Sequence, residues 1–226
     1  MKTSNFILFI ICLPLFSLAQ TTDSVNIKRT LNEININAIR ADYTTPVAYT
    51  NLSKTEIEKS NLGQDLPFLI SLSPSIVTTS DAGAGIGYTG FRIRGTDPSR
   101  INVTINGIPI NDSESQGVWW VNMPDFASSL ENIQIQRGVG TSTNGAAAFG
   151  ASINLKTMNI NTDAYVKTNN SIGSFNTLKN NIEFGSGTIS DKFTFDARLS
   201  KIISDGYIDR ASSDLKSLYL QGTYFN

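Results

Sequence analysis

The last third of the chain alternates between apolar and polar positions with a period of two, which is typical of β-strands. Strands are predicted over residues 164–173, 176–186, 191–203 and 214–225. In KFTFDARLS one face carries Phe193, Phe195, Ala197 and Leu199, and the other carries Thr194, Asp196, Arg198 and Ser200. Segments of about ten residues with this alternation match the strands of a transmembrane β-barrel. The alternation by itself fits equally well an antiparallel sheet of a soluble protein that has one face exposed to solvent.

The predicted connections between these strands favour the membrane alternative. The turns at Ser174-Phe175 and at residues 187–190 are tight, whereas SDGYIDRASSD is long and polar, as an external loop would be. Four strands cannot close a barrel, and an open edge in a membrane would leave backbone groups unpaired. If the strands lie in a membrane, the chain is therefore expected to be truncated at its C-terminal end.

The middle of the chain predicts a small mixed sheet with short helices, which is an α+β arrangement. Strands are expected near residues 76–79, 90–94, 101–105, 131–136 and 151–157, with a helical turn at 124–130. The expected inner core consists of five apolar side chains from these strands: Phe91, Ile93, Ile101, Val103 and Ile105.

Two short helices are predicted ahead of these strands. Ser53 followed by Glu56 forms a capping box for the first, which ends before Gly63. Asp65-Leu66-Pro67 opens the second, and Pro74 stops it. Its predicted apolar stripe consists of Leu66, Leu69, Ile70 and Leu72.

The N-terminal segment has the features of an export signal. It carries Lys2, an apolar run over residues 6–15 and small residues before a cleavage site after Ala19. A transmembrane anchor is the competing interpretation, but the run is shorter than the ~20 residues that a spanning helix needs. A polar lead follows, and LNEININA then alternates as a short strand without a hairpin partner.

Composition excludes several kinds of chemistry. The only cysteine, Cys12, lies in the predicted signal, and the chain has no histidine. Thiolate zinc sites, disulfide scaffolds and Ser-His-Asp triads are therefore excluded, and we predict no catalytic residue, no metal site and no cofactor. The chain has 18 basic and 19 acidic residues without a strong block of either sign, so nucleic acid is not an expected partner.

The remaining motifs are weak on their own. Residues 85–90 satisfy G-x-G-x-x-G, but an alternating strand follows where a dinucleotide site needs a helix. Trp119 and Trp120 are adjacent, and adjacent side chains in a strand point to opposite faces. One of them can therefore be buried in the core while the other forms a binding or packing surface. Five acidic residues are interpreted as solvated loop acids: Asp81, Asp97, Asp112, Glu114 and Asp125.

Taken in order, these segments resemble the N-terminal part of a TonB-dependent outer-membrane receptor. The resemblance rests on LNEININA, GFRIRG, INVTINGIPIND and the stretch from Glu131 to Thr157, and the SLAQ ending and Asn-rich strands resemble receptors of Bacteroidetes. It implies a signal peptide over 1–19, a flexible lead with a TonB-box-like strand over 20–40, a plug domain over 41–157 and the first four barrel strands over 158–226.

The family's function is energised uptake of a scarce ligand, with an iron–siderophore complex as the expected case. The resemblance implies that the plug gates the barrel and receives force from a TonB-type periplasmic protein, and that outer-membrane lipid is a further partner. By resemblance, the TonB-binding residues are Leu31, Asn32, Glu33, Ile34, Asn35, Ile36, Asn37 and Ala38. Asn35 and Asn37 stand where the family more often has β-branched residues.

The resemblance also implies two further sets of residues. Arg92, Arg94 and Arg137 are expected at the interface between plug and barrel, where Arg92 or Arg94 would pair with barrel carboxylates absent from this chain. The expected contacts to an extracellular ligand are Tyr88, Gln116, Trp119 and Trp120. Two alternatives remain open at this point: an exported soluble β-rich binding or adhesion module, and an exported enzyme, which the missing His and Cys disfavour.

Overall fold

The structure, a computed structural model, describes residues 40–141, 149–157 and 160–224. The predicted signal, the polar lead and the TonB-box-like strand lie outside these residues. Across the described ranges, no helix is both long and apolar enough to cross a membrane.

A five-stranded mixed sheet forms the N-terminal region, which we define as residues 40–157. Its spatial order is β1-β6-β7-β4-β5. Neighbours pair antiparallel except β4 and β7, whose parallel register sets Ile101 beside Ala151. The strands are β1 (Ala48–Ser53), β4 (Ile101–Ile105), β5 (Ile108–Pro109), β6 (Leu130–Arg137) and β7 (Ala151–Thr157). The sequence pattern predicted β4, β6 and β7, but not the edge strands β1 and β5.

The hairpin of β2 (Ile76–Ser80) and β3 (Thr89–Ile93) and two short helices complete this region. In α1 (Lys54–Ser60), Glu56 accepts hydrogen bonds from the backbone and hydroxyl of Ser53, at 2.8 and 2.6 Å, which confirms the capping box. In α2 (Leu66–Leu69), the predicted stripe is correct for Leu66, Leu69 and Ile70. Leu72 is 93% exposed, so its place in that stripe was wrong, because the helix ends before it.

The core of the N-terminal region lies between the mixed sheet, the hairpin and the helices. The predicted members Phe91, Ile93, Ile101 and Val103 are at most 4% exposed, and Ile105 packs at the edge. Trp120 joins them with its ring centroid 5.7 Å from that of Phe91. No helix begins after residues 85–90, where β3 starts instead, so the dinucleotide interpretation is excluded by the fold.

The C-terminal part is an antiparallel sheet in the order β11-β10-β9-β8. We refer to it as the strand sheet. It consists of β8 (Tyr165–Gly173), β9 (Thr177–Gly185), β10 (Phe193–Ser204) and β11 (Ser213–Tyr224). All four strands were predicted to within about two residues, which is the usual precision of strand boundaries. The sheet stays open, since β8 and β11 do not pair with each other.

The strand sheet has its polar face inside and its apolar face outside. Along β10, Thr194, Asp196, Arg198 and Ser200 are buried, whereas Phe195 is 55% and Leu199 is 49% exposed. In β9, too, the polar side chains point inward and the apolar ones outward, since Lys179 is buried and Phe184 is exposed. A soluble sheet buries its apolar face, so this polarity favours strands whose apolar side faces lipid.

Candidate functional site

The polar face of the strand sheet meets the N-terminal region at Asp125. This residue precedes a 3-10 turn (Phe126–Ser129) and has a left-handed backbone, with φ of 53° and ψ of 24°. Aspartate tolerates that conformation better than most residues do. The turn places the carboxylate against β9 and β10, and the side chain has no solvent exposure.

Two cations of the strand sheet bind this carboxylate. Lys179 Nζ on β9 lies 2.7 Å from Oδ1, and Arg198 Nη1 on β10 lies 3.1 Å from Oδ2. Asn181 donates a hydrogen bond of 2.7 Å to Oδ2, which also accepts from the hydroxyl of Ser200. Four side chains from two adjacent strands therefore converge on one carboxylate, and we call these five residues the Asp125 cluster.

The N-terminal region contributes a second set of hydrogen bonds. The Ser128 hydroxyl donates to Asp125 Oδ1 at 2.6 Å and accepts from Asn61 Nδ2 at 2.8 Å. Lys179 also donates to the backbone oxygen of Asn61 at 3.2 Å, and Arg198 donates to the backbone oxygen of Asp125 at 2.5 Å. The two cations thus bind backbone as well as side chain across the interface.

Electrostatics keep Asp125 ionised. Burial alone would raise the pKa of the carboxyl, but the charges of Lys179 and Arg198 together outweigh burial and lower the pKa to about 2. Both cations are almost fully buried, with side chains 2% exposed. A buried pair of this kind is costly to break from one side, because the remaining charge is left unpaired.

Two further polar contacts surround the cluster. Lys167 on β8 forms an ion pair of 2.5 Å with Glu58 of α1, and Ser171 donates a hydrogen bond of 2.5 Å to the backbone oxygen of Leu62. Between them lies a polar cavity of about 140 Å³ that also contacts buried Glu183. A cavity of this size and polarity can hold a few water molecules. Polar contacts from β8 thus extend the interface beyond the Asp125 cluster.

At one end of the molecule, the loop over residues 81–88 contacts the strand sheet. The turn between β8 and β9 and the loop over residues 205–212 lie at this same end, where the rings of Phe175 and Tyr207 are 5.5 Å apart. The Tyr207 N–H donates to the backbone oxygen of Ala82 at 2.9 Å. We call this end the loop end.

Asp65 holds the other side of the 81–88 loop. Its backbone N–H donates to the Gly85 oxygen at 2.8 Å, and its carboxylate accepts from the Thr89 hydroxyl at 2.9 Å. Burial raises the pKa of this carboxyl to about 7, against the opposing effect of the Thr89 hydrogen bond. The loop is thus fixed by α2 on one side and by the strand sheet on the other.

A cavity of about 310 Å³ opens beside this loop. Its lining includes Tyr88, Trp119 and Trp120, together with the acidic residues Asp81 and Asp97. Tyr88 and Trp119 are 60% and 52% exposed, whereas Trp120 is buried against Phe91. The structure therefore gives the two tryptophans different roles, with Trp120 in the core and Trp119 at the surface.

Comparison with known proteins identifies the N-terminal region. The family model described as TonB-dependent Receptor Plug Domain matches residues 41–152. Residues 41–152 are a TonB-dependent receptor plug domain. The vitamin B12 transporter BtuB of Vibrio vulnificus (strain YJ016) is 29% identical over 157 residues, which are 69% of this chain and 25% of that protein. The chain thus spans about a quarter of the length of this curated relative.

Solved structures support the same fold. FpvA of P. aeruginosa, solved with bound pyoverdines, matches with a TM-score of 0.63 and 17% identity over 79% of this chain and 23% of its own. The alcaligin receptor FauA of Bordetella pertussis matches with a TM-score of 0.60 and 17% identity over 78% of this chain and 29% of its own. The fold is accordingly a plug domain followed by antiparallel strands of an incomplete barrel.

The three arginines expected at the plug–barrel interface do not contact β8–β11 through any described hydrogen bond or ion pair. Arg92 lies 4.0 Å from exposed Asp97, and Arg137 donates to the Thr50 hydroxyl at 2.6 Å within the plug. Arg94 is exposed, with a φ of 53°. Their pairing with further barrel strands stays a prediction.

Three of the four residues predicted to contact a ligand lie at one cavity. Tyr88, Trp119 and Trp120 line the 310 Å³ cavity, but Gln116 is exposed outside its lining. The Gln116 side chain instead donates to the Ser113 backbone oxygen at 2.9 Å. Only Trp119 and Tyr88 offer exposed aromatic surface at this cavity.

The interpretation of the five acids as solvated was wrong for Asp125, which is 3% exposed. Asp112 does behave as a loop acid, accepting from the backbone of Ser115 at 2.7 Å. Among the residues that the structure describes, no group of three or more His, Cys, Asp or Glu side chains could hold a metal ion.

Sequence reasoning did not identify the Asp125 cluster. One sequence feature could have indicated it. Lys179 and Arg198 occupy polar positions of strands whose alternate positions are apolar. In strands whose apolar side chains face lipid, the polar side chains point toward the barrel interior. Two cations buried there need an acidic partner, which the plug can supply. Nothing in the local sequence around Asp125 selects it over the other four acids.

Proposed function

We propose that the chain is the N-terminal part of an outer-membrane receptor that imports a scarce extracellular ligand, with an iron–siderophore complex as the expected ligand. The observation that carries the proposal is the polarity of the strand sheet. Its polar face binds the plug through the Asp125 cluster, while Phe195 and Leu199 face outward. This polarity suits a wall that separates a plug from lipid.

The proposal assigns a role to each segment. Residues 1–19 direct export, residues 20–40 carry the TonB-binding strand, residues 41–157 form the plug, and residues 158–226 begin the barrel. The loop end faces the cell exterior, since long polar loops of such barrels are external. The cavity with Tyr88 and Trp119 then faces the ligand.

The interface with the strand sheet is suited to a plug that must hold at rest and move under force. TonB would add a strand to residues 31–38, so that main-chain hydrogen bonds transmit the pull. At rest, polar contacts such as that between Asp125 and Lys179 are strong because water is excluded from them. When the plug moves, water can replace these contacts. Arg92, Arg94 and Arg137 would form similar contacts with the remaining wall.

Uptake measurements test the proposed function. The gene for the whole receptor, of which this chain is the proposed N-terminal part, is expressed in a receptor-deficient strain, with and without TonB, and uptake of radioactive iron is measured with a panel of ferric siderophores. We expect uptake of at least one complex only in the strain that contains TonB. Uptake that is independent of TonB, or no uptake of any complex, would contradict the proposal.

A proline variant tests the TonB-binding strand. Ile34→Pro removes a backbone donor from the strand that TonB would extend and should abolish uptake while surface binding of the ligand persists. Thr21→Pro, in the polar lead, is the matched control and should transport normally. If both variants behave alike, residues 31–38 do not receive the force.

The soluble alternative is disfavoured by the outward face of the strand sheet. Val166, Ile172, Leu218 and Leu220 are each more than 60% exposed, and such a patch on a soluble protein would promote aggregation. Fractionation of cells that express the gene distinguishes the two proposals. Recovery in the outer-membrane fraction is expected, and a soluble periplasmic monomer would favour the binding module.

A further inference from the structure

The outward face of the strand sheet contains one row that breaks its apolar pattern. In the ladder, Lys216 faces Lys201, Lys201 faces Asn180, and Asn180 faces Asn170. The adjacent row consists of Leu218, Leu199, Ile182 and Thr168 in the same strand order. A polar row with two cations therefore borders apolar side chains on a face that the proposed function places against lipid.

The two lysines are directly opposite each other on neighbouring strands. Like charges in this position destabilise a sheet, so the chain keeps an unfavourable contact here. Asp214 offsets part of it, since its carboxylate lies 3.8 Å from Lys201 Nζ. That ion pair is exposed, and Lys216 has no acidic counterpart among the described ion pairs. The row retains an excess positive charge.

A groove follows the boundary between the two rows. It measures about 660 Å³ and is lined by Lys201, Lys216 and Asn180 on the polar side and by Ile182, Leu199 and Leu218 on the apolar side. A ligand that fills it would need an anionic group joined to a hydrocarbon chain. Phosphorylated lipids have this chemistry, and lysine is a common phosphate-binding residue.

We propose that this groove binds a phosphorylated lipid of the surrounding membrane. The phosphate lies between Lys201 and Lys216, and the amide of Asn180 on the adjacent strand donates a further hydrogen bond to the headgroup. An acyl chain follows the apolar row beside Leu199 and Leu218. The phosphate neutralises the opposed lysines, which gives a physical reason for two like charges facing each other on a lipid-facing surface.

The position of the row within the strands agrees with this assignment. Lys201 lies three residues before the end of β10, and Lys216 three residues after the start of β11, both toward the loop end. Charged side chains on the lipid face cost least near the membrane interface, where headgroups lie. The inference rests on the proposed function, because that function places the loop end outside and the lipid in the outer leaflet.

Lipid binding by the full chain in detergent micelles tests the site. The probes are diphosphoryl lipid A, monophosphoryl lipid A and inorganic phosphate, and bound lipid is measured by native mass spectrometry. We expect the diphosphoryl form to bind most tightly and inorganic phosphate to bind far more weakly, because it lacks the acyl chains. The double variant K201Q/K216Q should lose about tenfold to thirtyfold in lipid affinity.

A matched control is K192Q, which removes an exposed lysine from the turn at the opposite end. It should bind diphosphoryl lipid A like the unaltered chain. Without lipid, K201Q/K216Q should unfold at the same temperature as the unaltered chain or higher, because the repulsion is relieved. A lower unfolding temperature would give the lysines a structural role and overturn the inference.

Two further outcomes would overturn the lipid site. Equal losses of affinity in K192Q and K201Q/K216Q would show that lipid binding depends only on general charge attraction. Equal binding of inorganic phosphate and lipid A would show that the groove does not bind an acyl chain. In both cases the chain would still occupy the micelle, so the proposed membrane location would stand. A chain that remains monomeric without detergent would instead contradict the proposed function itself, and the lipid site with it.

Discussion

At the scale of single residues, the interface between plug and strand sheet depends on Asp125. Its carboxylate forms ion pairs with Lys179 on β9 and Arg198 on β10 and accepts hydrogen bonds from Asn181 and Ser200 on the same two strands. The left-handed backbone of Asp125 sets the direction of the side chain, with φ of 53°. One residue thus combines a turn conformation with the charge that binds two strands.

The variant Asp125→Asn isolates that charge, because asparagine also tolerates the left-handed conformation. We expect a loss of about 3–5 kcal/mol, since Lys179 and Arg198 would remain buried without their anion. Denaturant unfolding of the full chain in detergent, followed by the fluorescence of Trp119 and buried Trp120, measures it. Glu114→Gln in an exposed loop is the control, with an expected change within about 0.5 kcal/mol.

Asp125 also predicts a loss of stability in acid. Its pKa of about 2 in the folded chain lies below the unfolded value of about 3.9. Its contribution is therefore present above pH 4 and is lost as the pH falls toward 2. In Asp125→Asn this part of the acid dependence should disappear, and an unchanged acid profile would contradict the assignment of its ionised state.

Asp65 predicts the opposite dependence near neutral pH. Its pKa is raised to about 7, so the folded chain favours the protonated carboxyl. Stability is highest below the unfolded pKa of about 3.9 and falls as the pH rises to 7, by up to about 4 kcal/mol. Unfolding measured from pH 4 to 8 should show a flatter profile for Asp65→Asn, and an equal slope in both proteins would refute this account.

At the scale of elements, the four strands β8–β11 carry two different surfaces on one backbone. Period-2 alternation places Arg198 and Ser200 inside and Leu199 outside, so each strand depends on the plug on one face and on an apolar environment on the other. The plug has the reverse arrangement, with apolar side chains such as Ile133 and Ile153 in its own core. The two elements therefore meet mainly through polar groups, with one aromatic contact between Phe126 of the plug and Tyr219 of β11, whose ring centroids are 6.3 Å apart.

Substitution on the outward face tests its exposure to lipid. Leu220→Lys places a charge on an outward position of β11 that faces Ala197, and it should cost about 2–4 kcal/mol in a bilayer. The same change at Asp209, in the polar loop, should cost little. Folding into lipid vesicles over a denaturant series measures both, and equal effects would show that Leu220 does not face hydrocarbon.

At the scale of the whole molecule, the loop end joins the two elements a second time. The 81–88 loop is bound by Asp65 within the plug and by Tyr207 in the loop between β10 and β11. The cavity with Tyr88 and Trp119 lies against this loop. A ligand in that cavity would therefore contact a segment that is connected to both elements.

Glycine variants test the contact between the loops. Gly83 has a φ of +73°, and an added Cβ would meet Tyr207 at 3.0 Å. Gly95 has a similar φ of +76° but nothing within 4 Å of the same position, so Gly95→Ala controls for backbone strain. Hydrogen exchange at the Tyr207 amide should accelerate in Gly83→Ala only, and equal exchange in both would exclude the contact.

The sequence by itself determined most of the elements and their polarity. The period-2 runs located β8–β11, and the Ser53–Glu56 spacing located the start of α1, because both are local properties of neighbouring residues. The strands β1 and β5 were missed, since an edge strand carries little pattern and forms only through its pairing with β6 or β4.

Only the tertiary structure decided which polar residues act together. Alternation placed Lys179 and Arg198 on one face, but it could not state that this face is buried or that Asp125 is its counterpart. The contact between Arg198 and Asp125 joins residues 73 positions apart and depends on a turn with positive φ. Burial and charge pairing are properties of surfaces that meet in three dimensions, so local sequence patterns do not contain them.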